Sequence, residues 1–318
     1  MKMEEFYYAS SDKKSKIHAI KWIPEQEVKG VIQIVHGVTE YIGRYEEVAE
    51  YFTKLGYVVV GHDLLGHGDS LTYGKFKMYS GERGSFKYLV EDTRSLFNII
   101  KKEYKNATYV MLGFSLGSFV VRSYLEKYSN DLDGTIIMGS GYTNPLLLKM
   151  ILKLVNNEAS KYREEETTPL IHKLTFETYN NNFKPNKTDY DWLCSNESSL
   201  KKYINDPKRG EEFSIGLFRE LLEAMIETGK LKNIEKINKD LPILLISGSC
   251  DPVGNNTKGV KKVYSLYKKA RISNVTMKFY PGLRHDILHE KEKKDICEYL
   301  SRWISVRVRK EYLEDKKL

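Results

Sequence analysis

The chain has 318 residues, of which 41% are hydrophobic and 30% are charged, and its formal net charge is +8. This balance is typical of a folded globular protein and argues against extensive disorder, and the length suits one large α/β unit with an insertion, or two domains. The lysines are interspersed with acidic residues and accompany no RNA or DNA motif, so the charge indicates a solvated surface and no nucleic-acid partner.

The compartment is indicated by three further features of the sequence. No run of 18 apolar residues occurs, and the first residues, MKMEEFYYASSD, carry acids where a secretory signal needs a basic and then an apolar stretch. The cysteines form no CxxC pair, which suits a reducing environment; they are Cys194, Cys250 and Cys297. We therefore expect a cytoplasmic protein.

The strand-like runs alternate with helical patterns along the chain. EEFYYASS and IHAIKWIP have the pattern of an antiparallel pair at a sheet edge. Six later apolar runs end in glycine, serine or aspartate, which is typical of a mostly parallel sheet whose strands are covered on both faces. These runs are residues 30–37, 57–63, 109–115, 134–140, 242–249 and 275–282. Between the second and third runs, one face of a crossover helix is predicted from Phe86, Leu89, Val90, Phe97 and Ile100.

The alternation stops between about residues 142 and 240, where helical patterns follow one another. Two apolar stripes at helical spacing occur there, and they are Leu146, Leu147, Met150, Ile151, Leu154 and Val155, and Phe218, Leu221, Leu222, Met225 and Ile226. Such stripes are usually core, but a cap over an active site also needs apolar residues that face the substrate. We predict a core of residues 1–141 and 241–318, with a helical cap inserted at 142–240.

Residues 113–117 form a G-x-S-x-G sequence between the strand YVML and the helical run SFVVRSYLEKY. In a sharp strand-to-helix turn the central residue is strained, and the small flanking residues let the strand and helix approach closely. The serine hydroxyl is then exposed beside a helix N-terminus, which favours developing negative charge. A simple turn with two glycines also explains the pattern, but its position between a strand and a helix predicts that Ser115 is a nucleophile.

A serine hydroxyl needs a base that takes its proton. His285 follows the last predicted strand, at the edge where open α/β sheets bind ligands, and His289 is its nearest rival. The acid is expected between the nucleophile and the base in chain order, where Asp251 follows the strand PILLISG. Asp63 also ends a strand, but it precedes Ser115 and more simply braces its loop.

The oxyanion hole is expected at the end of the first long strand, in the sequence His36-Gly37-Val38. In the nucleophile-elbow geometry, the backbone N–H groups of Val38 and Leu116 would bind the developing oxyanion. His36 is then a structural residue.

The sequence resembles the monoacylglycerol lipase and lysophospholipase branch of the α/β-hydrolases, the serine aminopeptidase S33-type hydrolases. The similar segments cover nearly the whole chain, and they are VHGVTEYIGRYEEVAEYFTKLGYVVVGHDLLGHGDS, GFSLG, DYDWLCSNESSLKKYINDP, ISGSCDPVG and YPGLRHDILHE. The resemblance implies an α/β-hydrolase fold, with a mostly parallel central sheet, helices on both faces and an inserted helical cap. It also implies single-chain lipid esters as substrates, reached through an apolar tunnel under the cap.

By this resemblance, Ser115, Asp251 and His285 match the family's catalytic triad, and Val38 and Leu116 match its oxyanion amides. Candidate substrate-binding residues come from the cap stripes and from two departures from the family's pattern. Family members often carry HSGRY where this chain has Tyr41 to Tyr45, and GHSMG where this chain has GFSLG with Phe114 and Leu116. The full set is Tyr41, Phe114, Leu147, Ile151, Phe218 and Leu222. Because the departures alter groups near the acyl pocket or the leaving group, the exact glyceride or phospholipid preference is not implied.

The expected reaction is hydrolysis of a carboxylic ester through an acyl-serine intermediate, with no metal and no cofactor. Thioesterase, amidase or aminopeptidase, and carbon–carbon hydrolase activities remain open, because they differ in pocket shape alone. A different functional class is a ligand receptor that has the hydrolase fold without catalytic activity. The intact triad argues against this class. The apolar helix near residues 144–156 is a candidate for transient contact with a membrane surface.

Overall fold

An eight-stranded sheet lies at the centre of the computed structural model, which describes residues 1–70, 83–210 and 212–310. The strands are β1 (Lys2–Ala9), β2 (Lys16–Ile23), β3 (Gly30–Val35), β4 (Tyr57–His62), β5 (Thr108–Phe114), β6 (Gly134–Met138), β7 (Ile243–Gly248) and β8 (Val275–Tyr280). Their order in the sheet is β1-β2-β4-β3-β5-β6-β7-β8. The β1–β2 and β2–β4 pairs are antiparallel and the other pairs are parallel, which confirms the predicted mostly parallel sheet with an antiparallel edge.

Burial of the strands follows their place in the sheet. β3, β4, β6 and β7 are buried along their whole length, as their apolar sequences predict. The prediction of full coverage was wrong for β8, whose residues are all half-buried. β8 is the last strand of the sheet, so it has a neighbouring strand on one side only.

Eleven helices occur in the described ranges, and five of them cover the two faces of the sheet. Helices α2 (Phe86–Glu103), α3 (Leu116–Tyr128) and α10 (Lys258–Lys269) pack on one face, and α1 (Glu46–Lys54) and α11 (Lys293–Trp303) on the other. None of the helices in these ranges combines the length and the apolar character that are needed to cross a bilayer.

The six remaining helices follow one another between β6 and β7. They are α4 (Pro145–Ala159), α5 (Pro169–His172), α6 (Thr178–Asn180), α7 (Glu197–Ile204), α8 (Ile215–Thr228) and α9 (Leu231–Ile234), and a π-helical turn (Lys173–Glu177) joins α5 to α6. Helix α8 packs between α3 and α4, so its apolar stripe is buried on both sides.

The apolar stripe of α4 lies only partly in the core. Val155 is buried and Ile151 is half-buried, but the interpretation of the stripe as core was wrong for its other four residues. Leu146 is 71% exposed and Met150 is 67% exposed, and Leu147 and Leu154 are each 48% exposed. Within α4, Leu148 and Val155 are buried, and Val155 is itself a member of the stripe. The physical reason is that α8 packs against one side of α4, whereas Leu146 and Met150 on the other side remain exposed.

A buried arginine links α3 to both ends of the α4–α8 segment. Arg122 is 2% exposed, and its Nη1 donates to the carbonyl oxygen of Gly141 at 2.8 Å. Its Nη2 donates to the carbonyl oxygen of Thr228, at the end of α8, at 3.1 Å. Burial lowers the pKa of the Arg122 guanidinium.

Candidate active site

The turn between β5 and α3 holds Ser115 in a strained conformation. Its φ of 52° and ψ of −118° lie outside the regions that most L-residues adopt. A Cβ on Gly113 would lie 2.5 Å from the Gly117 carbonyl oxygen, and one on Gly117 would lie 2.0 Å from the Val35 carbonyl oxygen. Only glycine fits at both positions, so the two glycines of the G-x-S-x-G sequence are what allows the strand and the helix to approach so closely.

The structure brings Ser115, His285 and Asp251 into one hydrogen-bonded chain. The Ser115 Oγ lies 2.8 Å from His285 Nε2, and His285 Nδ1 lies 2.9 Å from Asp251 Oδ1. Asp251 is 0% exposed and His285 is 1% exposed. This geometry allows the imidazole to accept the serine proton at Nε2 while Nδ1–H donates to the carboxylate.

Asp251 is itself fixed by two further donors. The N–H of Val253 donates to its Oδ1 at 2.9 Å, and the Ser247 hydroxyl donates to its Oδ2 at 3.1 Å. Because a buried carboxylate needs hydrogen-bond donors for its oxygens, these contacts satisfy Asp251 and fix its orientation toward the imidazole.

The two residues whose backbone amides were predicted to form an oxyanion hole are Val38 and Leu116. Both line the same cavity as Ser115. Leu116 begins α3, where the first turn leaves N–H groups without intrahelical acceptors. The N–H of Val38 has no acceptor among the described residues, whereas the neighbouring Gly37 N–H donates to the Glu40 carboxylate. Two residues that line the cavity together with Ser115 thus carry backbone N–H groups without an acceptor among the described residues.

A cavity of about 460 Å³ opens from Ser115 and runs beneath α4. Four residues proposed for substrate contact from the sequence line it, namely Leu147, Ile151, Phe218 and Leu222. Other apolar residues that were not predicted from the sequence also line the cavity, and they include Phe119, Leu148, Leu174, Trp192, Phe213 and Val253. Most of these lie outside the two stripes, so periodicity carried no signal for them. The walls are mainly apolar, which suits an aliphatic chain.

Tyr41 and Phe114 lie outside this cavity lining, so their selection from the family pattern does not match the structure. Phe114 is buried at the end of β5, and its ring centroid lies 4.8 Å from that of His285. The Tyr41 hydroxyl donates to Asp206 at 2.9 Å, and the Lys208 ammonium lies 5.8 Å from the Tyr41 ring centroid. Phe114 therefore packs against the imidazole, and Tyr41 bonds to the chain just after α7.

The rival residues are engaged elsewhere. His289 Nδ1 lies 2.8 Å from Asp286 Oδ1, and its Nε2 lies 3.3 Å from the Arg44 carbonyl oxygen. Although burial alone raises the pKa of the Asp286 carboxyl, the charges of His289 and Arg44 hold it below its usual range. His289 thus belongs to a separate ion-pair network.

Asp63 braces its own loop. It accepts the N–H groups of Ile42 at 2.7 Å and Asp69 at 2.8 Å, and it lies 2.9 Å from His18 Nδ1. His18, Asp63 and Asp69 also form the one group of possible metal ligands within the described ranges, with ligand atoms within 4.8 Å of one another. The Lys208 ammonium already pairs with Asp69 at 2.9 Å, so the group is satisfied without an ion.

Comparison with known sequences gives matches that span most of the chain. The model of the family described as serine aminopeptidase, S33, matches residues 26–292. The chain is similar to the monoacylglycerol lipase of Mycolicibacterium smegmatis, with 25% identity over 287 residues, which cover 89% of this chain and 90% of that protein. It is also similar to the monoglyceride lipase homolog of Monkeypox virus, with 28% identity over 299 residues, or 92% of this chain and 95% of the viral protein.

Among solved structures, the chain is similar to a thermostable carboxyl esterase from Bacillus coagulans in complex with glycerol. The TM-score is 0.88 with 26% sequence identity, and the match covers 97% of this chain and 99% of the esterase. A monoglyceride lipase from Saccharomyces cerevisiae in complex with a substrate analog matches with a TM-score of 0.74, over 96% of both chains, at 18% identity. These likenesses agree with the sheet order and the helical layers described above.

Proposed function

The chain belongs to the serine aminopeptidase S33 family of α/β-hydrolases, and from this membership we propose that it hydrolyses carboxylic esters of single-chain lipids, as a monoacylglycerol lipase or a lysophospholipase does. Relatives with the name monoacylglycerol or monoglyceride lipase support the proposal, since each matches about nine-tenths of the chain. The observation that supports it most is the hydrogen-bonded chain from Ser115 through His285 to Asp251 at the mouth of an apolar cavity.

In the proposed reaction, Ser115 Oγ attacks the ester carbonyl carbon while His285 Nε2 takes its proton. The tetrahedral intermediate collapses, His285 returns the proton to the leaving alcohol, and an acyl-serine remains. Water then attacks the acyl carbon while His285 takes its proton, and His285 returns this proton to Ser115 Oγ as the bond to the acyl group breaks and the free acid leaves. Asp251 holds the imidazole in the tautomer that both steps need.

The oxyanion of each tetrahedral intermediate is proposed to lie between the N–H groups of Val38 and Leu116. Donors that are in place before the reaction stabilise the charge without reorganisation, and removal of one such donor typically costs about 3 kcal/mol of transition-state stabilisation. Backbone amides supply this stabilisation here, so no side-chain substitution removes it directly.

The acyl chain is proposed to occupy the cavity under α4 and α8. A volume of about 460 Å³ lies within the range that small-ligand pockets usually have. Residues 142–240 would then act as the cap, over a core formed by residues 1–141 and 241–318. Leu147, Ile151, Phe218 and Leu222 would contact the chain from the cap side.

A panel of 1-monoacylglycerols and lysophosphatidylcholines with acyl chains of 4 to 18 carbons tests the substrate class. We expect fatty acid release, with kcat/KM rising with chain length until the cavity is filled. Turnover of thioesters or amides without turnover of any ester would contradict the proposal.

Narrowing the cavity is expected to shorten the accepted chain. Leu222 is buried and lines the cavity. Leu222→Trp should therefore lower kcat/KM for the longest chains at least tenfold, because each methylene that no longer fits costs roughly 1–3 kcal/mol. The kcat/KM for four-carbon esters should stay within twofold of wild type. The matched control is Leu154→Trp, since Leu154 is exposed on α4 and outside the lining. Equal loss at all chain lengths would show that Leu222 does not bound the acyl site.

The outer face of α4 is proposed to make transient contact with a lipid surface. Leu146 and Met150 are exposed there beside Lys149 and Lys153, so an apolar face with flanking cations is directed away from the core. The same helix lines the cavity through Ile151, which places the contact close to the path that a lipid substrate would take.

The double variant Leu146→Glu/Met150→Glu tests this contact. We expect at least fivefold weaker sedimentation with phosphatidylcholine vesicles that contain phosphatidylglycerol, and a similar loss of rate on vesicle-borne monoacylglycerol. Hydrolysis of water-soluble p-nitrophenyl acetate should stay within twofold of wild type. Unchanged vesicle binding would exclude α4 as the contact surface.

A further inference from the structure

A short segment between α6 and α7 lies hydrogen-bonded along the loop that carries His285. We call residues 191–196 the strap. The N–H of His285 donates to the Trp192 carbonyl oxygen at 3.4 Å, and the N–H of Asp286 donates to the Leu193 carbonyl oxygen at 2.7 Å. The Arg284 guanidinium also donates to the carbonyl oxygens of Asp191 and Cys194. Three consecutive residues of the histidine loop are therefore bonded to the strap.

Glu290 joins the other end of the strap to the same loop. Its side chain is fully buried, and its carboxylate accepts the Ser195 N–H at 2.9 Å, the Ser195 hydroxyl at 2.6 Å and the Asn196 N–H at 3.2 Å. It also accepts the N–H of Arg284, the residue before His285, at 3.2 Å.

No ion pair with Glu290 occurs in the part of the chain that the structure describes, and the donors to its carboxylate oxygens are backbone N–H groups and one hydroxyl. A buried carboxylate that accepts several short, oriented bonds restrains the groups that donate them. The arrangement of Glu290 therefore indicates a geometric role, which is to hold the strap and the histidine loop together.

The strap reaches the catalytic imidazole through Trp192. The Trp192 ring centroid lies 5.2 Å from that of His285, and the Phe114 ring centroid lies 4.8 Å away. Trp192 also lines the substrate cavity. Two aromatic rings, one from β5 and one from the strap, thus restrain the rotation of the imidazole, whereas Asp251 contacts only its Nδ1 edge.

We propose that the strap sets the orientation of His285 and that Glu290 is the positioning residue that holds the strap in place. This inference rests on the proposed function, because it assigns a role in the proton transfers of that reaction. Nε2 must face the serine oxygen and then the leaving oxygen, and a misplacement of about 1 Å in such a group can cost 10²-fold in rate. Glu290 itself touches neither Ser115 nor the imidazole.

The test replaces Glu290 with glutamine, which keeps the shape and places an N–H₂ group against donors. We expect kcat per active site to fall about 10-fold to 100-fold, with KM within threefold of wild type because Glu290 does not line the cavity. Active sites are counted by titration with a fluorophosphonate, so a purely structural role would appear as fewer titratable sites with an unchanged kcat for each. The matched control is Glu292→Gln, because Glu292 is exposed two residues further on and should behave as wild type.

Ser195→Ala provides a second variant in case Glu290→Gln does not fold. It removes one donor to Glu290 and should lower kcat per site about threefold to tenfold, again with little change in KM. A kcat per site within twofold of wild type in whichever variant folds would overturn the inference, as would a raised KM with kcat unchanged. Wild type and Ser115→Ala are measured in parallel, so failure of wild type to cleave any ester is recognised as failure of the proposed function and not of the strap.

Discussion

Ser115→Ala is expected to lower kcat for ester hydrolysis by roughly 10⁴-fold or more while the protein stays folded, since triad removals in other serine hydrolases have effects of this size. The hydroxyl bonds to His285 and to no other described side chain, so its loss removes the nucleophile without breaking a structural contact. Alanine meets the same positive φ as serine, and the Ser115 N–H bond to the Met138 carbonyl oxygen is retained. The measurement is steady-state hydrolysis of a p-nitrophenyl ester, with circular dichroism as the check on folding.

Labelling with a fluorophosphonate gives an independent readout of the same change. Mass spectrometry should locate the adduct on the peptide that contains Ser115 in wild type and find none in the variant. Ser118 is a suitable control, because its hydroxyl donates to the Ser115 carbonyl oxygen at 2.6 Å and it should not be labelled. An undiminished rate in Ser115→Ala would remove Ser115 from the mechanism, and an unlabelled Ser115 in folded wild type would favour a ligand receptor.

His285→Ala should lower kcat by roughly 10⁴-fold, whereas His289→Ala should lower it less than tenfold. His285 is the imidazole that contacts both Ser115 and Asp251, and its removal leaves the serine without a base. His289 contacts Asp286 and the Arg44 carbonyl oxygen, so its removal affects a neighbouring ion-pair network only. Both variants are measured with the same soluble ester at saturating concentration.

The two histidines are a matched pair, because they lie four residues apart and each bonds to an aspartate. If His289→Ala proved to be the more damaging substitution, their roles would have to be exchanged. Loss of activity in both variants, together with lower melting temperatures in both, would indicate damage to the loop and not to a base.

The fold and the elbow were predictable from the sequence because both depend on short-range patterns. Each apolar run between turn residues became a strand of the sheet within a few residues of its predicted bounds. The Gly113-to-Gly117 turn was predictable for the same reason, since its steric demand is local. The relation of Ser115, Asp251 and His285 followed from their places after strands whose carboxyl ends meet at one edge of the sheet.

The predictions that were wrong concern tertiary contacts, that is, which other element a given side chain packs against. Periodicity placed Met150 in an apolar stripe but could not tell that α8 packs against the other side of α4 and that Met150 remains exposed. Phe114 differed from the family's pattern and was assigned to substrate, yet β5 ends so that its ring packs against the imidazole.

The strap was missed entirely. The bonds of Trp192 and Ser195 are to residues about 90 positions away, and no local pattern reports such a pairing. Glu290 lies in a polar run that is typical of a solvated surface, although its side chain is fully buried. Such contacts come from tertiary packing, which spacing along one sequence does not encode.

The hydrogen bonds of Arg122 limit how residues 142–240 could be exchanged for the corresponding segment of another hydrolase. Its guanidinium is buried and has acceptors on both sides of the joint, the Gly141 oxygen in the part that would be kept and the Thr228 oxygen in the part that would be replaced. A chimaera whose inserted helix ends one turn early would leave Arg122 Nη2 buried without this acceptor, and a buried donor left unsatisfied costs about 1–3 kcal/mol. A transplanted segment must therefore restore that one carbonyl, or Arg122 must be replaced together with it.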